Sequence, residues 1–444
     1  MKSRAFPCLL GLWLIVAAAA AVAPAGADGS SILIKNGTLL TVTKGVIAKG
    51  DILVVDGIIK QVGGEIAAPP GVRVVDAAGR FVLPGIIDSH THIALAGTNE
   101  GSEAITPEAD VGAVINADDT SILTALSGGV TMAHTMHGSA NPIGGPNVTI
   151  KMKWGRPSEE LVVKEATPTL KFALGENVKQ SGRTVQPGQT QRYPATRMGA
   201  NAIIRREFEK ARNYMAQWER YQKAAGKNPP ANLVPPKKDL RLEVLAEVLR
   251  GERVARVHSY VAPETLEFME LAKEFGFEVR CFEHIWEGYK IARELAAAKI
   301  GISVFADSWA YKMEAAEGIA YMAGYCAKNG VLVSINSDSG ERIRRLFNDA
   351  AKTMKYGGLS EDEALRLVTI NPAVQLGVDR IVGSLEVGKQ GDIAVFSEHP
   401  MSAYARCDMT VIEGQVYFDR EAVVKDREEA AKKAAAPKSQ GGVS

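Results

Sequence analysis

The run Gly85-Ile86-Ile87-Asp88-Ser89-His90-Thr91-His92 sets a carboxylate and two imidazoles at alternate positions. If the run is a strand, residues 88, 90 and 92 share one face, because strand side chains alternate with a period of two. Neutral imidazole nitrogen suits zinc and its divalent neighbours. The chain has only seven histidines. Two more of them end short apolar runs: His258 after Arg256-Val257, and His284 after Cys281-Phe282-Glu283. Asp338 follows a further apolar run, Val331 to Ser337. One histidine at a strand end is usually a core residue with both nitrogens satisfied. Four imidazoles and a carboxylate on the ends of strands one, five, six and eight instead face one mouth. That is a donor set for a divalent metal.

The elements that must position these groups are legible around them. Between about Pro84 and Leu385, short apolar strands alternate with amphipathic helices, as in Arg253 to Ser259, Pro263 to Phe275, Phe277 to Glu283 and Trp286 to Ala298. Repeated strand–helix units predict a parallel sheet, and the length fits a closed (β/α)8 TIM barrel whose active site lies at the C-terminal ends of the strands. An open doubly wound sheet is the alternative, but no G-x-G-x-x-G follows the first strand. Both termini have a different texture. Asn36-Gly37, Asp56-Gly57 and Glu413-Gly414 sit between β-rich runs and supply the positive φ of two-residue hairpin turns. Residues 28–83 and 385–424 are therefore expected to pool into one small β-sandwich, with the barrel at 84–384. The stretch 175–239 is expected to cover the barrel mouth, and 425–444 to be a tail made of a frayed helix and a disordered end.

Phe81 to His92, FVLPGIIDSHTH, resembles the first-strand signature of the amidohydrolase superfamily of metal-dependent hydrolases. Asn371-Pro372-Ala373 with Leu376-Gly377, then Gly383-Ser384-Leu385-Glu386-Val387-Gly388-Lys389 and Gly391-Asp392-Ile393, resemble its C-terminal signature. The likeness spans nearly the whole mature chain and is nearest to the imidazolonepropionase-like and prolidase-like branch, which has exported members. It implies a barrel with a β-sandwich built from both termini. It also implies that His90 and His92 bind the more buried metal, that His258 and His284 are ligands, and that Asp338 both binds metal and moves the proton. A carboxylated lysine or a glutamate on strand four often bridges two metals in this superfamily. Lys171 is the lysine in that place, and Glu176 is its rival.

From the ligand set follows a mechanism. One or two divalent ions, zinc first among the candidates, lower the pKa of coordinated water from 15.7 to about 7 and polarise the carbonyl under attack. Asp338 takes the proton and returns it to the leaving nitrogen. Tyr260, two residues past His258, is a candidate donor to the oxyanion. His134 and His137 follow the run expected to be the second or third strand, and on a strand they face opposite sides. His137 and Asn141, in the Gly-rich loop after it, are candidates for touching substrate. The loop lacks the Lys of a P-loop, so nucleotide binding is not expected. Arg342, Arg344 and Arg345 read as a solvated helix face.

Composition bounds the rest. At 444 residues, 46% hydrophobic and 23% charged, the chain is long enough for a barrel with additions. A formal charge of +1 offers no footprint for nucleic acid or an anionic membrane. Lys2, Arg4, the apolar run Leu9 to Ala23 and Ala25-Gly26-Ala27 read as a cleaved secretory signal over residues 1–27, hence a periplasmic or extracellular protein. Cys281, Cys326 and Cys407 then remain, too few and too widely spaced for a disulfide framework. The expected function is an exported metal-dependent hydrolase of an amide, cyclic amide or dipeptide, acting on a small molecule and free to form a homo-oligomer. A heterocycle deaminase and a non-catalytic binding barrel are the competing readings.

Overall fold

The computed structural model describes residues 30–179, 192–227, 230 and 232–435, so the expected leader lies outside the described residues. The chain begins with β1 (Ile32–Leu40), β2 (Val46–Val55), β3 (Ile58–Gly63), β4 (Arg73–Asp76) and β5 (Phe81–Pro84). Next come β6 (Ile86–Thr91), β7 (Val130–Thr135), β8 (Ile143–Lys151), β9 (Thr169–Ala173), β10 (Val254–Ser259), β11 (Val279–His284), β12 (Gly301–Val304) and β13 (Val333–Ile335). It closes with β14 (Ile393–Phe396), β15 (Cys407–Ile412) and β16 (Gln415–Asp419).

The first and last groups form one sheet in the order β16-β15-β14-β5-β1-β2-β3, with β4 branching from β1. It curls round a core in which Ile32, Ile52 and Val54 pack with Ile393, Val395 and Val411. This is the composite domain expected from the two termini. Asp56-Gly57 and Glu413-Gly414 close their hairpins with left-handed backbone at both residues, φ 51° and 76°, then 49° and 75°. Asn36-Gly37 departs from expectation. It is not a turn but a bulge inside β1, where the register against β2 slips between Ile34 and Gly37.

β6 to β13 form the second sheet, in sequence order, as a nearly closed barrel. Its seam is held by side chains: the Ser337 hydroxyl donates to Asp88 Oδ2 at 2.5 Å, and Ser89 and Ser334 hydroxyls meet at 2.9 Å. The sheet is not wholly parallel. β8 pairs antiparallel with both β7 and β9, so the segment from Met136 to Pro142 is a hairpin loop at the mouth and no crossover helix separates β7 from β8. The alternation rule misses this because a strand buried on both sides reads alike in either direction. At the junction with the sandwich, Gly85 is obligatory. A Cβ there would lie 2.0 Å from Thr131 Oγ1.

The stretch 175–239 differs from a simple cover. Its main element is the helix Arg197–Ala225, which buries Ile203, Ile204, Phe208 and Ala211. Phe208 stacks on Phe277 at 4.6 Å and on Phe172 of β9 at 5.9 Å, so the helix lies along the barrel flank. Only its first turn reaches the mouth, through Arg197 to Glu264 and Glu314; residues 180–191 lie outside the described residues. The tail begins as the helix Arg420–Ala435, and residues 436–444 lie outside the described residues. Among the described residues no helix is long and apolar enough to cross a membrane.

Candidate metal centre

Strand order alone brings the five strand-end groups together. His90 lies in β6, His258 in β10, His284 at the end of β11, and Asp338 just beyond β13, all at the C-terminal rim. The His90 ring centroid is 5.1 Å from that of His92 and 4.8 Å from that of His284; His284 is 5.0 Å from His258. His92 Nε2 lies 3.2 Å from Asp338 Oδ1, and His284 Nε2 lies 3.8 Å from Asp338 Oδ2. The ligand atoms of His90, His92 and Asp338 sit within 4.8 Å of one another. Two of these residues hold unusual backbone: His284 has φ +72° and Asp338 φ +46°. Left-handed backbone at a side-chain-bearing residue is uncommon and gathers at functional sites.

Lys171 joins the group from the middle of β9. It is fully buried, and its Nζ lies 3.3 Å from His90 Nε2. Glu176 is in the following loop, where its backbone N–H donates to the Glu314 carboxylate at 3.1 Å. Of the two strand-four candidates, Lys171 is the one whose head group meets the histidines.

The donor set fits a cation. Both ring nitrogens of His258, and Nδ1 of His90 and His284, are buried without a hydrogen-bond partner in the protein. Orphaned buried nitrogens are costly and rare; a metal would engage one nitrogen of a ring such as His258, while Nδ1 of His90 lies 3.7 Å from the Glu283 carboxylate. Burial, reinforced by neighbouring His284, Lys171 and other cations, holds His258 and His90 well below the ordinary histidine pKa, and burial brings His284 to about 3. The rings are therefore neutral, as ligation requires. Burial would raise the Asp338 carboxyl, but the His92 hydrogen bond and the fields of His284 and Lys171 win and hold it below its usual value. His92 is further fixed by Nδ1, 2.8 Å from the Met136 carbonyl, which turns Nε2 toward Asp338.

Other expected residues serve elsewhere. Asp88 does not converge with the imidazoles. Its carboxylate accepts from the backbone of His90 and from Ser337, pinning the first strand to the last. His134 has both nitrogens occupied, by Thr149 at 2.9 Å and Thr169 at 3.0 Å. His137 likewise meets the Gly138 carbonyl and the Glu100 N–H, and Asn141 donates to the Glu100 carbonyl and Thr106. In this conformation the last two brace the mouth loops. The three arginines are ion-paired, Arg342 with Asp307 and Asp349, Arg344 and Arg345 with Glu341.

Tyr260 is nearer the centre than any of these. It is 3% exposed, lies edge-on to His258 at 4.7 Å, and its hydroxyl meets that of Tyr311. Lys312 Nζ stands 4.0 Å over its ring. Sequence reasoning missed Tyr311 and Lys312, which sit in an irregular loop after β12 where no periodicity marks a role. It also passed over Arg256 and Glu283, a fully buried ion pair at 2.7 Å. Charged residues inside otherwise apolar strand runs were the available signal.

Comparison with known proteins agrees with this picture. Residues 242–425 match the family model described as the amidohydrolase family. The amidohydrolase tasK of Hapsidospora irregularis is 31% identical over 399 residues, which cover 83% of this chain but only 40% of that protein. The chain thus spans about two fifths of this longer relative. A crystal structure of an amidohydrolase from Thermotoga maritima is 34% identical, with a TM-score of 0.79 over 88% of this chain and 100% of that one. A molinate hydrolase, 17% identical with a TM-score of 0.51, covers 94% of this chain and 100% of its own and shares the fold.

Proposed function

The chain belongs to the amidohydrolase family, and from that premise we propose that it hydrolyses a carbon–nitrogen bond in an amide, cyclic amide or dipeptide. The observation that carries this reading is the cluster of buried His90, His258 and His284, each with a ring nitrogen that has no protein partner, beside the contacts of His92 and His284 with Asp338. His90, His92, His258, His284 and Asp338 would hold one or two divalent ions, zinc foremost. The ion supplies a Lewis acid, which acidifies water and polarises the substrate carbonyl.

The chain's own groups do the rest. Asp338, kept ionised by His92 and its neighbours, accepts the proton of the attacking water and passes it to the leaving nitrogen. Tyr260 keeps its proton, because burial and the Tyr311 hydroxyl raise its pKa, and it donates to the oxyanion. Lys171 has its pKa lowered by burial to about 8. Its free amine can add to carbon dioxide, forming an N–C bond and releasing one proton, and the resulting carbamate would add an anionic ligand to the metal site. His137 and Asn141 shape the mouth rather than the reacting centre. Beside this chemistry, the apolar leader supports export; the N-terminal sequence of the secreted or periplasmic form should begin at Asp28.

Elemental analysis of purified wild type beside His258→Ala/His284→Ala tests the reading. One or two equivalents of metal in wild type, reduced in the variant, together with hydrolysis of a dipeptide or cyclic amide, support it. Wild type that takes up neither zinc nor manganese on reconstitution overturns it.

A further inference from the structure

Beneath the metal ligands lies an ion pair that the reaction does not use directly. Arg256 Nε donates to Glu283 Oε1 at 2.7 Å, and Arg256 Nη2 donates to the Ser89 carbonyl at 3.0 Å. Both side chains are wholly shielded from solvent. Breaking such a pair leaves an uncompensated buried charge, so each residue holds the other in place. The pairing occupies only one carboxylate oxygen. Glu283 Oε2 has no hydrogen-bond partner, and it lies 3.7 Å from His90 Nδ1, which has none either. A closure of roughly 0.8 Å would bring them to hydrogen-bond distance.

The opposite nitrogen of the same ring, Nε2, faces Lys171. His92 shows the completed form of this arrangement, with Nδ1 on the Met136 carbonyl and Nε2 toward Asp338. We propose that Glu283, anchored by Arg256, is a positioning residue that accepts the Nδ1–H of His90 and so presents the Nε2 lone pair to the metal. A carboxylate behind a ligating imidazole fixes its tautomer and orientation and raises its basicity. Strand one would thus supply two ligands locked by different acceptors, a neutral carbonyl for His92 and a charged carboxylate for the more buried His90. The inference rests on the metal-site reading above.

Glu283→Gln keeps the shape and inverts the demand. Arg256 Nε claims the amide oxygen, which turns the NH2 group toward His90 and forces its proton onto Nε2. Two readouts on the full chain test this. Zinc affinity, measured by competition with a chelator, should fall by about 10- to 100-fold in Glu283→Gln. In nitrogen-15 spectra of histidine-labelled protein, His90 should carry its proton on Nδ1 in the wild type and on Nε2 in the zinc-free variant. The wild-type spectrum stands on its own if the variant does not fold. Nε2 protonation of His90 in the wild type, or wild-type zinc affinity in a folded Glu283→Gln, overturns the positioning role while leaving the metal site intact. A wild type that binds no zinc overturns both.

Discussion

Lys171 Nζ and His90 Nε2 face each other at 3.3 Å in the buried interior of the barrel. An amine and an imidazole nitrogen so close, with His258 and His284 alongside, make a site whose charge balance depends on what Lys171 carries. Burial lowers its pKa to about 8, with Glu283 and Asp338 resisting and Arg256 assisting. A neutral fraction therefore exists at mildly alkaline pH. Protein equilibrated with carbon-13 bicarbonate should gain one carbamate resonance that Lys171→Gln lacks, and that variant should hold less metal. A wild-type spectrum without the resonance would leave Lys171 as an unmodified amine.

Asp338→Asn should retain the fold and lose turnover. Asparagine preserves shape but neither takes a proton nor offers an anionic ligand. General acid–base loss alone predicts a kcat lower by about 10²- to 10⁴-fold. Circular dichroism alongside steady-state rates would check this, and near-normal turnover would remove Asp338 from the reaction.

Tyr260→Phe separates oxyanion support from metal binding. The ring contact with His258 survives, but the hydroxyl and its link to Tyr311 are lost. Deleting one such donor predicts a kcat lower by about 10²- to 10³-fold at unchanged metal content. If kcat holds and only KM rises, Tyr260 contacts the substrate away from the reacting carbonyl.

Metal-free protein should be acid-labile. Burial, with nearby cations, holds His90, His134 and His258 well below the reference value of 6.5, and His284 at about 3. These folded-state values are depressed by refusing a proton that the unfolded chain accepts, so stability is full above 6.5 and falls as pH drops. Asp88 acts in the opposite direction: burial raises its carboxyl to about 7, so the folded chain binds one proton more readily there. The depressed histidines outnumber Asp88, so folding releases protons on balance and stability falls as pH drops. Denaturant midpoints of the metal-free chain between about pH 7 and about pH 5 would measure it. A flat profile would mean the rings are not buried neutral.

Gly85→Ala probes the joint between the two sheets. Its new methyl would collide with the Thr131 side chain, 2.0 Å from Oγ1 and 2.7 Å from Cβ. Overpacking of this kind costs about 1–3 kcal/mol, visible as a lowered melting temperature with metal content retained.

The histidines and Asp338 of the candidate site were legible because each lies at or near the end of a strand, a place sequence can mark, whereas Lys171 sits in the middle of β9. His258 and His284 follow apolar runs, so their height in the barrel is fixed by pairing with their neighbours, Ser259 opposite His284 and His258 opposite Glu283. Asp88 misled because alternation gives the face of a strand but not the competitor waiting there; Ser337 across the seam takes its carboxylate. The reversed β8 and the flank position of the helix Arg197–Ala225 were hidden for a related reason. Direction and docking are decided by partners distant in sequence, such as Phe172 and Phe277 against Phe208. Glu283 and Arg256 were readable as oddities, but only their mutual distance gives them a role.

The pairing of β5 with β14, Phe81 against Phe396 and Pro84 against Ile393, carries a consequence for how the polypeptide is made. A ribosome delivers the first five strands before the barrel and their partner strands only after it. Throughout that interval one side of β5 stays an open edge, a template for pairing with other nascent chains. The sheet stays incomplete until β14 is made, and a chaperone that shields the edge would raise the yield. Premature termination before Phe418 therefore removes more than a tail. It strips neighbours from the centre of a sheet that the N-terminal strands have already begun, and such fragments should aggregate rather than persist as a free barrel.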